Sequence, residues 1–234
     1  MRPFGPLLEI ASPARVNSSI LNHMHPSIFF IDLDETVYSP QCGMWDLIGA
    51  QMNVYMQERL NLPADEVQPL RKRLFREYGT TLRGLKTLYH IDERDFLRFV
   101  HDVPVQDVLR PDPALREMLA AYPQRKIIFT NADQEHARRV MNVLGITGCF
   151  ENIIDILDIS PHCKPEPQAF AIALKLAGSP DPADCVLIDD SPANLATARA
   201  LGMLAIGIGQ KDFNGCCDAA LASLHELPAV IPFP

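Results

Sequence analysis

The sequence predicts an α/β protein, a three-layer Rossmann-like parallel sheet with an inserted all-helical cap, and three observations carry that expectation. Short apolar runs recur along the chain, each separated from the next by a segment of helical period. Capping side chains and prolines open the intervening segments, and glycines close them. The first apolar run ends abruptly in Asp32 and Asp34, and the carboxyl ends of strands are where open parallel sheets bind ligands.

Residues 1 to 26 mix Pro, Ser, Asn and isolated apolar residues without period, and are expected to form an extension, disordered or loosely packed on the domain. His23 and His25 lie there with no third ligand nearby, which reads as tail rather than as a metal site. Ile28, Phe29, Phe30 and Ile31 then make a strand short and apolar enough to be buried on both faces.

Residues 41 to 108 are far longer than a βα crossover requires and read as all helix. Trp45 to Leu60 spaces its apolar residues by three and four, and Ala64 to Tyr78 sets Val67, Leu70, Leu74 and Phe75 among charges. Asp92 to Val103 opens on an acidic cap. An insertion immediately after the acidic strand end must rise from that edge, so a lid over the sheet is expected. The core is then residues 27–40 and 109–234.

From Lys126 the pattern is regular. Apolar runs at 126–130, 152–157, 185–189 and 203–208 alternate with helices expected at 134–144, 167–177 and 192–201. Asp112-Pro113 and Ser191-Pro192 each place a capping side chain before a first-turn proline, and Gly145, Gly178 and Gly202 fall where helices stop.

Composition bounds the function. The chain has 234 residues, 47% of them hydrophobic, and a net charge of −8. That charge argues against long nucleic acid as a partner, because backbone binding needs clustered Lys and Arg. No run approaches the roughly 18 apolar residues of a membrane span, and no secretory signal is evident, so a cytoplasmic address is expected. The six cysteines show no paired metal spacing and are expected to be reduced thiols. The composition leaves oligomeric state open.

Four features stand at consecutive strand ends or in the loops beyond them: Asp32 with Asp34, Thr130 with Asn131, Lys164, and Asp189 with Asp190. Read as a set, they make a phosphoryl-transfer site. A carboxylate attacking a phosphate dianion meets like charge, which costs on the order of 4 kcal/mol at about 4 Å and an effective dielectric near 20. A divalent cation offsets that, and Asp32, Asp34 and Asp189 supply hard oxygen ligands suited to Mg²⁺. Lys164 and the Thr130 hydroxyl, with Asn131, would hold the phosphate oxygens. Asp32 is expected to be the nucleophile. Asp34, its pKa raised by neighbouring carboxylates, is expected to protonate the leaving alkoxide and later activate water. Gly207-Ile-Gly209 is followed by Asp212 where a third glycine would be needed, which disfavours a dinucleotide-binding dehydrogenase.

Asp32-Leu-Asp-Glu-Thr36, Phe-Thr-Asn-Ala132, Lys164-Pro and Ile-Asp-Asp-Ser191 resemble the four motifs of the haloacid dehalogenase superfamily of phosphatases, over about residues 27 to 209. The stretches 78–85 and 109–115, and the run 129–133 with His136, resemble the pyrimidine 5′-nucleotidase branch, although Glu35 stands where that branch commonly has Asn or Asp. The resemblance implies Mg²⁺-dependent removal of phosphate from UMP- or CMP-like nucleotides, a helical cap that chooses the substrate, and a five-stranded core with the Asp32 strand in the middle. Tyr78, Thr81 and Arg83 are candidates for base recognition, or equally for contacts between cap helices. Other small phosphomonoesters such as phosphoglycolate or a sugar phosphate, phosphoryl transfer as in β-phosphoglucomutase, and a non-catalytic binding module remain as alternatives.

Overall fold

The structure, a computed structural model, describes residues 26–233. Residues 1–25 of the expected extension, including His23 and His25, lie outside them. In chain order, β1 (Ile28–Ile31) is followed by α1 (Met44–Leu60), α2 (Ala64–Tyr78), α3 (Thr81–Tyr89), α4 (Glu93–Val100), a single turn α5 (Val105–Val108) and α6 (Pro113–Ala121). Strand and helix then alternate through β2 (Arg125–Phe129), α7 (Gln134–Leu144), β3 (Asn152–Ile154), α8 (Pro167–Leu176), β4 (Cys185–Asp189), α9 (Pro192–Ala200) and β5 (Leu204–Ile208), before a short β6 (Ala219–Leu221).

All strands pair in parallel in the order β3-β2-β1-β4-β5-β6. Side chains alternate across β1, so Phe29 and Ile31 join the apolar cluster beneath α6 and α7, while Ile28 and Phe30 join the one beneath α8 and α9. Helices on both faces make the three layers. Ile31 lies level with Ile128 of β2 and Ile188 of β4, so the chain leaving β1 emerges between the ends of its two neighbours. That register gathers Asp32, Thr130 and Asp189 at one edge.

Several local expectations are corrected. The sheet has six strands rather than five, and β1 is third in it. The additional strand pairs Ala219 to Leu221 with Ile206 to Ile208 at the sheet edge, and three residues are too few to show a period. The strand expected over 152–157 stops at Ile154, because Asp155 Oδ1 accepts the amides of Leu157 and Asp158 at 2.9 Å each and turns the chain. Ser191 stands at the α9 N-cap without a side-chain capping bond; its amide instead donates to Asp189 Oδ1 at 2.8 Å. The six cysteines are free. No helix of the described residues is long and apolar enough to cross a membrane.

The insertion holds a helix beyond those expected, α3, capped by the Thr80 side chain on the amide of Arg83. Tyr55, Met56, Val67, Leu74, Leu85 and Phe96 form its apolar cluster, which also takes in Ile156 and Cys163 from beyond β3. Met44, Ile48, Val103 and Val105 belong instead to the core cluster under α6 and α7, so both ends of the insertion are rooted in the core. Within it α2 and α3 approach closely at Gly84: a Cβ there would lie 2.6 Å from Leu74 Cδ2 and 2.7 Å from Leu74 Cβ. Gly84→Ala is therefore expected to cost about 1–3 kcal/mol by overpacking, measured by urea unfolding. A loss below about 0.5 kcal/mol would show that the two helices separate freely.

Candidate active site

Two buried carboxylates face each other across the sheet edge, and one ammonium lies between them. Lys164 Nζ donates to Asp32 Oδ1 at 2.8 Å and to Asp189 Oδ2 at 2.7 Å. Its side chain is 1% exposed, with Nζ 5.1 Å from the centre of the Phe129 ring. Burial disfavours the charged lysine, but Asp189 and Asp32 outweigh it and hold Lys164 well above the usual ammonium range. Burial likewise pushes the Asp32 carboxyl up strongly. Lys164 draws it down, while Asp189 and Asp190 add to the rise. One ammonium does not neutralise this centre.

Asp189 is held in place by its own helix entrance, since its oxygens accept from the Ser191 amide and from Asn194 Nδ2 at 2.9 and 3.0 Å. Asp190 pairs with Lys211 at 2.7 Å. Asp32, Asp189 and Asp190 each offer an oxygen, all within 4.8 Å of one another. Three carboxylates against two lysines leave negative charge unbalanced, and an all-oxygen donor set of this kind fits a hard divalent cation. The side chain of Asp34, expected among the metal ligands, does not join this group.

Asp34 is turned into a different set of contacts. Its Oδ1 accepts a very short hydrogen bond from the Tyr38 hydroxyl and lies 3.1 Å from His136 Nε2. The expectation of a raised pKa is corrected: burial acts upward, but the His136 charge and the His136 and Tyr38 hydrogen bonds outweigh it and hold the carboxyl below the usual range. His136 lies 102 positions along the chain. Its Nδ1 is buried without a partner, and its ring stacks on His101 at 4.4 Å and 19°.

His101 Nδ1 in turn meets Asp133 Oδ2 at 2.5 Å, and Asp133 Oδ1 caps α7 at the amide of His136. Burial pushes the His101 imidazole down, more than the Asp133 contact draws it up. Asp133 falls from the ordinary 3.8 to about 2: burial opposes this, and the His101 hydrogen bond and charge overcome it. A lowered folded-state value stabilises the fold above the unfolded value, and the contribution is lost as pH falls toward about 2. Asp133→Asn should therefore be about 2 kcal/mol less stable than the parent near pH 6, with the gap closing between about pH 4 and 2. Denaturant titrations across that range test this, and a gap independent of pH would refute the electrostatic account.

Thr130 and Asn131 brace the site from within. Thr130 is 1% exposed, and its Oγ1 accepts the amide of Ala132 at 2.9 Å. Asn131 exchanges two bonds with the backbone of Lys164, donating to its carbonyl at 3.0 Å and accepting its amide at 2.9 Å. The side chain expected to meet substrate thus fixes the loop that carries Lys164. Arg83 pairs with Glu166 and donates to Cys163 Sγ at 3.5 Å, while the carbonyl of Tyr78 accepts from that thiol at 3.8 Å. Two candidates for base recognition therefore tie the insertion to the Lys164 loop. Sequence reasoning missed Tyr38, His101 and Asn194; a tyrosine four residues after Asp34 and an asparagine five after Asp189 were the only local signals.

A family described as hydrolase, haloacid dehalogenase-like hydrolase, matches residues 26–202. The chain is 30% identical over 190 residues to phosphate metabolism protein 8 of Saccharomyces cerevisiae, covering 75% of this chain and 59% of that protein. It is 27% identical over 124 residues to β-phosphoglucomutase of Bacillus subtilis, covering 53% of each. The alignments thus span little more than half the length of these curated relatives. A solved structure described as a predicted phosphoglycolate phosphatase from Haemophilus somnus 129pt shares the fold, with a TM-score of 0.63 at 15% identity over 87% of this chain and 97% of that one.

Proposed function

The chain belongs to the haloacid dehalogenase-like hydrolases, and from that premise we propose that it is a Mg²⁺-dependent phosphomonoesterase acting on small nucleotides of the UMP and CMP type. The observation that carries this reading is the Lys164 ammonium bound to both Asp32 and Asp189, with Asp190 within reach. A buried cation set between carboxylates at a strand edge supplies both a nucleophile and an anchor for an anion.

Asp32 attacks phosphorus through one carboxylate oxygen, the bond from phosphorus to the ester oxygen breaks, and an aspartyl-phosphate forms. The departing oxygen needs a proton. We assign it to the pair of Asp34 and His136, which share one proton between Oδ1 and Nε2, 3.1 Å apart, with the Tyr38 hydroxyl steadying the carboxylate. This replaces a lone, neutral Asp34 as the acid. Asp34 then takes a proton from the water that hydrolyses the aspartyl-phosphate, which returns Asp32 as a carboxylate. Lys164 and the Thr130 hydroxyl hold phosphate oxygens. Asp32, Asp189 and Asp190 would hold Mg²⁺, and when bound it supplies the positive charge that offsets the carboxylates and the substrate dianion.

Residues 41–108 act in this reading as the cap that selects the leaving group, supported by the Arg83 to Glu166 ion pair joining the insertion to the Lys164 loop. Phosphate release from UMP, CMP, dUMP, AMP, GMP, phosphoglycolate and several sugar phosphates, each with Mg²⁺ and with excess EDTA, tests it. Turnover led by pyrimidine nucleotides and abolished by EDTA is the expected result. Turnover led by another ester discards the nucleotide and keeps the chemistry; equal turnover of all esters removes the cap as a selector; none at all overturns the enzyme reading.

A further inference from the structure

A second basic site lies apart from the Asp32 centre, in a cleft of about 740 Å³ between the insertion and the core. Arg94 and Arg98, one turn apart on α4, line one wall, and Arg138 and Arg139 on α7 line the other. None of the four makes an ion pair among the described residues, although Glu135 lies one turn before Arg138 and Arg139. The other carboxylates of the cleft are already engaged. Asp133 is held by His101 and the amide of His136, and Asp155 by the amides of Gln134, Leu157 and Asp158.

Arg94, Arg98 and Arg138 are exposed, whereas Arg139 is half-buried. Arg139 donates through Nη2 to the carbonyl of His101, and its Nε is buried without any partner. A desolvated guanidinium donor left unpaired costs the fold. Like charges on two facing helices add to that cost, and an anion seated between them relieves the repulsion. The volume lies in the range of small-molecule sites. Planar guanidinium forks match phosphate oxygens, and four of them on opposite walls suit an anion long enough to touch both. The apolar side chains of Leu97 and Leu157 also line the cleft.

We propose that this cleft binds a small anion carrying two or more linked phosphates, bridging α4 of the insertion and α7 of the core. The proposal is independent of any phosphoryl transfer at Asp32. The ligand chemistry is shared by an inorganic polyphosphate and a nucleoside polyphosphate, whose base would rest on Leu97 and Leu157.

Isothermal titration calorimetry of the full chain in EDTA at fixed ionic strength tests it, with inorganic tripolyphosphate, ATP and orthophosphate as probes. One tripolyphosphate or ATP per chain is expected, each at least about tenfold tighter than orthophosphate, and each weakened about tenfold or more by the double variant Arg98→Ala/Arg138→Ala. Both replaced side chains are exposed, so the variant should fold, and an unchanged melting curve checks this. Arg94→Ala serves as a second variant and should weaken both probes in the same direction. Tighter binding of ATP than of tripolyphosphate identifies the nucleoside form, and the reverse identifies the inorganic chain. Absence of saturable binding, orthophosphate binding as tightly as tripolyphosphate, or a smaller loss in the double variant overturns the proposal.

Discussion

Asp32→Asn is expected to lower phosphate release by about 10⁴-fold or more, the scale on which removal of a nucleophile acts, while the fold stays intact. The amide keeps the shape of the carboxylate and can still accept from Lys164, so geometry is preserved and only the nucleophile is lost. Stability should move in the opposite direction from activity. Burial, with Asp189 and Asp190, raises the folded-state pKa of Asp32 above its unfolded value. Its protonated form is therefore favoured by folding, and its ionised form at neutral pH works against the fold. Without metal, the variant should melt at or above the temperature of the parent. With Mg²⁺ the parent should gain more than the variant, because a ligand that binds only the folded state stabilises it. Turnover within about tenfold of the parent would eliminate Asp32 as the nucleophile; a large drop in melting temperature in EDTA would refute the charge balance described for the site.

Lys164→Met is expected to be the most destabilising change at the site, by about 3–5 kcal/mol in urea unfolding with EDTA present. Removing one partner of a buried ion pair leaves uncompensated charge behind, and here the ammonium serves both Asp32 and Asp189. Methionine keeps most of the volume, so cavity formation is a minor part of the loss. The deficit should shrink when the medium is acidified from pH 7 to 5, because protonating Asp32 removes one of the stranded charges. It should also shrink with Mg²⁺, which the three acids can hold. Turnover should fall about 10²–10³-fold, as when a positioned donor to the transition state is removed. A loss below about 1 kcal/mol at pH 7, or one insensitive to both pH and Mg²⁺, would show that Lys164 does not hold the carboxylates together.

Much of the fold is legible because it rests on local periodicity and punctuation. Strand 185–189 and helix 134–144 are read with the bounds they have in the structure, since an uninterrupted apolar run and an aspartate cap with a glycine stop are written in consecutive residues. The helix over Thr81 to Tyr89 is not legible, because Gly84 weakens its propensity and becomes favourable only when Leu74 of the neighbouring helix fills the space beside it. The strand Ala219 to Leu221 exists through its pairing with β5. The site divides in the same way. Asp32, Thr130, Lys164 and Asp189 are visible as polar residues at or beyond the ends of apolar runs, whereas Tyr38, His101 and Asn194 are ordinary members of turns and helices.

The sequence by itself determined the layered parallel sheet, the long helical insertion and the edge on which the carboxylates and Lys164 meet, because each depends on neighbours in the chain and on the alternation of strand and helix. Tertiary structure alone decided how charge is distributed there. Asp34 is drawn below the ordinary range by a histidine 102 residues away, Asn131 is spent on the backbone of the Lys164 loop, and four arginines from two distant helices face a common cleft. A pKa or a pairing is set by the groups within a few ångströms and by the water excluded around them. Those are properties of the packed chain that no local pattern encodes.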